Sequence, residues 1–319
     1  MVKVLVTGGA GFIGSCFIRY MLSKYDDVII INLDALTYAG SLDNLKDIAA
    51  VHSKRYRFIK GDIADRGLAD DIFREGLSHV VNFAAETHVD RSIASPGIFV
   101  RSNVQGVQTL LDAALVHDIE SFIQISTDEV YGSLQAGSFT EESPLNPSSP
   151  YSASKAGGEL LARAYHTTFG LPVIVTRCSN NYGPCQHPEK LIPRLMLNAM
   201  QDRELPIYGD GLNIRDWLYV EDHCSAIDLV MRHGKKGAVY NIGGGCEKTN
   251  LEVARWILKR LGKPKSLIRF VPDRPGHDRR YSIDCSKLKR DLGWEPRIGF
   301  EEGMEKTFQW YSLNLDRLQ

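Results

Sequence analysis

A tyrosine and a lysine four positions apart are the residues here best suited to chemistry. Tyr151 and Lys155 stand at i and i+4, which places them one above the other on a helix face. A cation beside a phenol stabilises phenolate, lowers the phenol's pKa and makes tyrosine a usable base near neutral pH. Upstream, Ser126-Thr127-Asp128-Glu129-Val130-Tyr131-Gly132 sets a hydroxyl beside two adjacent carboxyls. Such a pair is ordinarily a solvated surface feature. In a shared cleft, different surroundings separate the two pKa values and yield an acid and a base.

A third pattern concerns phosphate. In Thr7-Gly8-Gly9-Ala10-Gly11-Phe12-Ile13-Gly14, glycines 8, 11 and 14 follow a short apolar run and open a helical one. Gly8 allows the tight turn, Gly11 lets backbone N–H groups approach a pyrophosphate, and Gly14 lets helix pack on strand. Asp34 follows at the end of the next apolar run, where a carboxylate meets the adenosine ribose of a dinucleotide. Its charge repels a 2′-phosphate, so the expected cofactor is NAD rather than NADP. Asp62 and Ala84-Ala85, after the third and fourth apolar runs, fall where the adenine and the middle of the cofactor should lie. Asp62 reads equally well as a helix cap.

The elements that must position these groups alternate. Lys3–Thr7, Val28–Leu33, Tyr56–Lys60, His79–Phe83, Ser121–Ser126 and Pro172–Arg177 read as strands. Phe12–Ser23, Ile98–His117 and Tyr151–Phe169 read as helices between them. The continuous apolar run at Val28–Leu33 suits a strand buried on both faces. The expected fold class is therefore α/β, a doubly wound parallel-sheet Rossmann domain over residues 1–177. Beyond residue 178 glycines and prolines recur, with helices expected at Leu191–Met200, Val220–Arg232, Asn250–Leu261 and Phe300–Trp310. Residues 178–319 read as a smaller α/β domain at the carboxyl edge of the first, with a stretch near 216–241 returning to it.

Composition sets limits. The chain has 319 residues, with 38 Lys plus Arg against 39 Asp plus Glu. That balance offers no global field for nucleic acid or anionic lipid, so any anion site must be built locally. Lys190, Arg215 and Arg274 are the candidate cations for a diphosphate, arginine by its fork and lysine as a point charge. Arg279 and Lys263 read as surface residues. No apolar run approaches the ~18 residues of a membrane span, and the glycine-rich N-terminus does not read as a signal peptide. The six cysteines form no C-x-x-C pair and no metal-spaced cluster, so reduced thiols, no metal and a cytoplasmic setting are expected. Cys178 and Cys185 have no histidine partner and receive no role. His88 reads as a structural histidine as readily as one close to the cofactor.

T-G-G-x-G-x-x-G, S-T-D-E-V-Y-G and Y-S-A-S-K together resemble the extended short-chain dehydrogenase/reductase superfamily. Within it, the Thr127-Asp128-Glu129 triplet resembles the nucleoside-diphosphate-sugar 4,6-dehydratases, most closely those acting on dTDP-glucose. Further agreeing segments are Ala84–Ser92, Arg177–Pro184, Pro188–Pro193, Ile214–Leu218 and Arg274–Tyr281, so the resemblance spans nearly the whole chain. It implies C4 oxidation by Tyr151 with Lys155 and Thr127, C5 deprotonation by Glu129, protonation of the departing C6 hydroxyl by Asp128, and hydride return to C6 from bound NAD. It implies that Phe12, Ile13, Ala35, Leu36, Thr37, Ile63, Phe83, Ser102 and Asn181 join the cofactor side. It places Glu86, Asn180, Leu191, Pro206, Tyr208, Asn250 and His277 with the three cations around the nucleotide sugar. It also implies a homodimer, with Ile98–His117 and Tyr151–Phe169 pairing into a four-helix bundle, and a product on the way to rhamnose or another deoxysugar. A 4-epimerase of the same fold, or a dehydratase taking UDP- or CDP-glucose, is the alternative. An epimerase needs neither Asp128 nor Glu129.

Overall fold

The computed structural model describes residues 1–315. Its centre is a seven-stranded, all-parallel sheet. The strands are β1 (Val2–Thr7), β2 (Val28–Asp34), β3 (Tyr56–Lys60), β4 (His79–Asn82), β5 (Ser121–Thr127) and β6 (Val173–Cys178), with β10 (Val239–Ile242) added later in the chain. Their order is β10-β6-β5-β4-β1-β2-β3. The chain thus winds outward in both directions from β1 and β4. That reversal opens a crevice at the carboxyl ends of the strands, the general ligand position of such sheets.

Helices cover both faces. On one lie α1 (Phe12–Lys24), α9 (Val220–His233) and α11 (Ser286–Leu292), burying Phe17, Met21, Ile227, Met231 and Leu288 against the sheet. On the other lie α3 (Arg66–Phe73), α6 (Val107–Leu115) and α7 (Pro150–Phe169), burying Phe73, Leu110, Leu111 and Ala162. Short α2 (Lys46–Val51), α4 (Val89–Ala94) and α5 (Pro96–Val100) sit in the connections.

A third core lies beyond the carboxyl edge. It gathers α8 (Leu191–Met200), α10 (Asn250–Leu261) and α12 (Phe300–Leu313) around Leu195, Trp217, Ile257 and Met304. The strands there are short. β7 (Asn180–Tyr182), β9 (Ile214–Tyr219) and β11 (Glu247–Thr249) make a mixed three-stranded sheet, and β8 (Leu205–Tyr208) pairs with β12 (Ile268–Val271). Between them the chain revisits the first sheet, with α9 on its face and β10 beside β6.

One expected helix is not continuous. Between α5 and α6, Arg101–Gly106 forms a π-helical turn. The cause is local. Asn103 Oδ1 accepts from the Glu86 N–H (2.9 Å), while its Nδ2 donates to the Glu86 carbonyl (3.0 Å) and to Ser154 Oγ (2.9 Å). The widened turn keeps that amide aimed at the β4–α4 loop and at α7, as such bulges commonly do near functional sites.

Candidate active site

The glycine turn after β1 is shaped by close approach. Gly8 has φ +66°, and a Cβ there would lie 2.7 Å from the Ala84 nitrogen. A Cβ on Gly14 would lie 2.4 Å from the Gly8 carbonyl oxygen. The first contact brings β1 and β4 together at the switch point, and the second seats α1 on its strand. Gly11 is the helix N-cap and offers no capping side chain, so the first N–H groups of α1 stay free for an anion. Asp34 bridges the turn. Its Oδ2 accepts from the Ala10 N–H (2.9 Å) and its Oδ1 from the Leu36 N–H (2.8 Å), while burial raises its pKa.

These groups open onto one cavity of about 450 Å³. All five expected catalytic residues line it, as do the expected cofactor-side residues with one exception and every expected substrate-side residue. The exception is Leu36. Its backbone turns into the left-handed region (φ 52°) to aim its N–H at Asp34, and its side chain leaves the cavity wall. Asp62 lines the cavity and is not a helix cap. Asp65 caps α3, while Asp62 accepts from the Ala64 N–H and pairs with Arg101 at 2.8 Å. His88 caps α4, lies 3.3 Å from Glu189 and lines the same cavity. Arg279 pairs with Asp210 and Lys263 with Asp202 at the surface.

Helix α7 begins with a reciprocal Ser149–Ser152 capping box, and its first turn presents Tyr151. Lys155 shares the α7 face with Tyr151 but bonds to the backbone of β5. Its Nζ donates to the Ile125 carbonyl on β5 (2.6 Å), and burial holds its pKa down to about 8. Burial, with Glu129 nearby, pushes the Tyr151 phenol well above its usual value. Thr127, at the end of β5, caps the following turn. Its Oγ1 accepts from the Glu129 N–H (3.3 Å) and donates to Asp128 Oδ1 (3.2 Å).

The two carboxyls differ in company. Asp128 is raised well above the carboxylate range by burial and by the charges of Glu129 and Asp216, with Arg215 opposing. Burial also raises Glu129, but Arg274, Arg215 and Lys190 all pull it down. A proton shared between them therefore sits on Asp128.

The far wall supplies the cations. Arg215 on β9 donates to the Asp278 carbonyl (3.0 Å) and lies over the Tyr281 ring at 4.2 Å. Lys190 donates to the Thr87 carbonyl (2.9 Å), and Arg274 lies 4.0 Å from Asp90. Tyr208 donates to Asp90 (3.1 Å), and its ring meets His277 edge-on. Tyr281, Arg194 and Trp217 also line the cavity. The sequence carried a signal for Tyr281, which ends the Arg274–Tyr281 segment, and for Trp217, within Ile214–Leu218, but none for Arg194.

Several lining atoms are buried without a hydrogen-bond partner among the described residues. They include Glu86 Oε2, Asp128 Oδ2, Asn180 Oδ1, Trp217 Nε1, Asn250 Oδ1 and Arg274 Nε. Orphaned polar atoms converging on one cavity mark a site that a polar ligand completes. Together with the free amides of α1 and the glycine cradle, they fit a dinucleotide beside a diphosphate sugar.

Comparison with known proteins agrees. The family model described as GDP-mannose 4,6 dehydratase matches residues 5–307. The low-salt glycan biosynthesis protein Agl12 of Haloferax volcanii is 56% identical over 97% of this chain and 98% of its own. The dTDP-glucose 4,6-dehydratase of Streptomyces niveus is 53% identical over 98% of this chain and 93% of its own. Among solved structures, the dTDP-glucose 4,6-dehydratase DesIV of Streptomyces venezuelae, with NAD bound, superposes with a TM-score of 0.97 at 51% identity, covering 100% of this chain and 99% of that one. With the glycine cradle, the Tyr151/Lys155 helix and both carboxyls in one cavity, the chain belongs to the GDP-mannose 4,6 dehydratase family and, within it, groups with the dTDP-glucose 4,6-dehydratases.

Proposed function

We propose that this protein is a hydro-lyase that converts dTDP-glucose to dTDP-4-keto-6-deoxyglucose with bound NAD. The C5 proton of glucose is not acidic, and a ketone at C4 makes it so. NAD held on the glycine turn and Asp34 supplies the electron-pair acceptor for that oxidation and the reductant for C6 afterwards. Tyr151, flanked by Thr127, takes the proton from the C4 hydroxyl. Glu129 removes the C5 proton and later returns one. Asp128 donates its proton to the C6 hydroxyl as water leaves. Lys190, Arg215 and Arg274 hold the diphosphate, and Asn180, Asn250, Tyr208 and His277 hold the rest of the nucleotide.

One observation carries this reading. The cavity wall that holds the Tyr151/Lys155 pair also holds two carboxyls, one pushed up by burial and neighbouring carboxylates and the other flanked by cations. A 4-epimerase has no use for either. Thymidine as the base rests on the named relatives. The larger sheet domain then carries the cofactor and the region after residue 178 the nucleotide sugar. A cytoplasmic enzyme fits six cysteines with no disulfide between them among the described residues, and no helix of the described residues is long and apolar enough to cross a membrane. A homodimer fits the exposed Ile98 and Val100 on α5 and Leu160 on α7, apolar side chains left uncovered on the helices expected to pair.

The test is incubation of the purified protein with dTDP-glucose and no added cofactor, followed by mass analysis. Loss of one water supports the proposal and shows that NAD co-purifies. An unchanged mass with dTDP-galactose formed would establish the epimerase. Turnover of UDP- or CDP-glucose instead would move the base assignment.

A further inference from the structure

Behind the cavity wall lies a buried ionic unit that the chemistry above does not use. Arg177 on β6 is 1% exposed by its side chain, and Glu159 on α7 is fully buried. Arg177 Nε donates to both Glu159 oxygens (3.0 and 3.1 Å), and its Nη2 donates to Glu159 Oε1. The other arm, Nη1, donates to the Tyr131 hydroxyl (2.6 Å) and the Glu141 carbonyl (3.2 Å). Tyr131 in turn donates to Asn241 Oδ1 (2.8 Å), on the strand paired with β6 opposite Arg177. Arg177, Glu159 and Tyr131 are all absent from the cavity lining.

A buried ion pair is a poor source of stability, because desolvation offsets the attraction and well-packed apolar residues often do as well. What it fixes is geometry, since the guanidinium fork bonds in set directions that an ammonium does not impose. The positions it grips are informative. Tyr151, Lys155 and Glu159 stand at i, i+4 and i+8 on one helix, so Glu159 shares the face of the catalytic pair. Tyr131 closes the single turn Asp128–Tyr131 that carries both carboxyls. One guanidinium therefore holds the helix with one arm and the acid turn with the other.

We propose that Arg177, through Glu159 and Tyr131, is a positioning residue that sets the spacing between Tyr151 and the Asp128/Glu129 carboxyls. The proposal rests on the dehydratase reading. The two arms then serve different steps: Glu159 fixes the group that oxidises C4, and Tyr131 fixes the groups that eliminate water. A purely structural role would loosen both together.

The experiment separates the steps with dTDP-glucose as probe. Formation of reduced cofactor is followed by its near-ultraviolet absorbance, elimination by water loss, and folding by thermal unfolding. Wild type is run alongside. If wild type shows neither reduced cofactor nor water loss, the dehydratase reading fails and this inference falls with it. Tyr131→Phe removes one hydroxyl and keeps the ring. It should leave cofactor reduction unchanged and slow elimination about tenfold, so that reduced cofactor accumulates; sub-ångström misplacement of a reacting group readily costs that much. Glu159→Gln should instead slow cofactor reduction, with no accumulation. Equal slowing of both steps in Tyr131→Phe, or no change in either, overturns the proposal while leaving the dehydratase reading intact. Should Glu159→Gln fail to fold with its arginine unpaired, Tyr131→Phe decides the matter alone.

Discussion

Asp128 and Glu129 are neighbours in the chain, yet their surroundings assign them opposite tasks. Asp128 feels Glu129 and Asp216 against one cation, Arg215, whereas Glu129 feels Arg274, Arg215 and Lys190 against Asp278. The proton needed at C6 and the lone pair needed at C5 therefore reside on adjacent residues without competing. Glu129→Gln should still oxidise C4 but stall there, with turnover down at least about 100-fold, the usual weight of a general base. Reduced-cofactor absorbance rising without water loss checks this. Asp128→Asn should keep Glu129 working, so deuterium from solvent enters C5 of recovered sugar while water loss falls by a similar factor. Absence of that exchange would remove Glu129 from its role. Lys155 gives a prediction in pH. Its ammonium, with a pKa of about 8, is the cation available to a phenol that burial has pushed up. Lys155→Met should raise the phenol further, and the rise of the C4 oxidation rate with pH should move to higher pH.

At the scale of elements, the periodic segments were legible and the short ones were not. Val28–Leu33 is apolar throughout because both sheet faces are covered, and that alone marks a central parallel strand. Strands β7 and β11 have three residues each, too few to show alternation, and they exist because β9 lies beside them. Helices α2 and α4 are six residues each, too short to show an apolar stripe, and only α4 has a side-chain cap, His88. The site was readable further than the fold, because glycines 8 and 14, the acid pair and the Tyr151/Lys155 spacing each encode a local requirement. The orientation of Lys155 and the position of Leu36 were not, since both depend on carbonyls and turns brought near only by folding. The π-turn is the clearest omission. Nothing in Arg-Ser-Asn-Val-Gln-Gly departs from a helical pattern, and the cause lies in Glu86 and Ser154, distant in the chain. Its partner contact is testable. A Cβ on Gly158 would lie 2.1 Å from the Asn103 carbonyl oxygen. Gly158→Ala should push α7 off the π-turn and destabilise the protein by about 1–3 kcal/mol. Thermal unfolding measures that loss, and turnover should fall with it because Tyr151 and Lys155 ride on the displaced helix.

At the scale of the whole molecule, the cavity works only if the small sheet beyond residue 178 stays registered on the large one. The chain crosses between them repeatedly, and one crossing is held by a histidine. His223, on α9 against the large sheet, is fully buried, and its Nδ1 lies 2.8 Å from Asn181 Oδ1 on β7 of the small sheet. Nδ1 must be the donor in that bond, because the amide oxygen can only accept. Nε2 then carries a lone pair with no partner among the described residues. A second proton on Nε2 would be a buried charge without an acceptor, and burial accordingly lowers the His223 pKa to about 3. The unfolded chain takes that proton near the ordinary histidine pKa of about 6.5. Below that pH the unfolded state binds more protons than the native state, so stability falls as pH drops, and it keeps falling until the native group itself titrates. The loss attributable to His223 is about 1.4 kcal/mol per pH unit between roughly 6.5 and 3. The buried carboxyls with raised pKa values, Asp128 above all, act in the opposite direction on acidification, so the total pH profile mixes both. A difference measurement isolates the histidine. His223→Gln can still donate an amide N–H to Asn181 and cannot be protonated. Denaturant unfolding of wild type and variant at pH 7, 6 and 5 should give a stability gap that moves in the variant's favour by about 1 kcal/mol or more over the last unit. A gap constant with pH would mean that His223 is not the acid-sensitive joint between the two sheets.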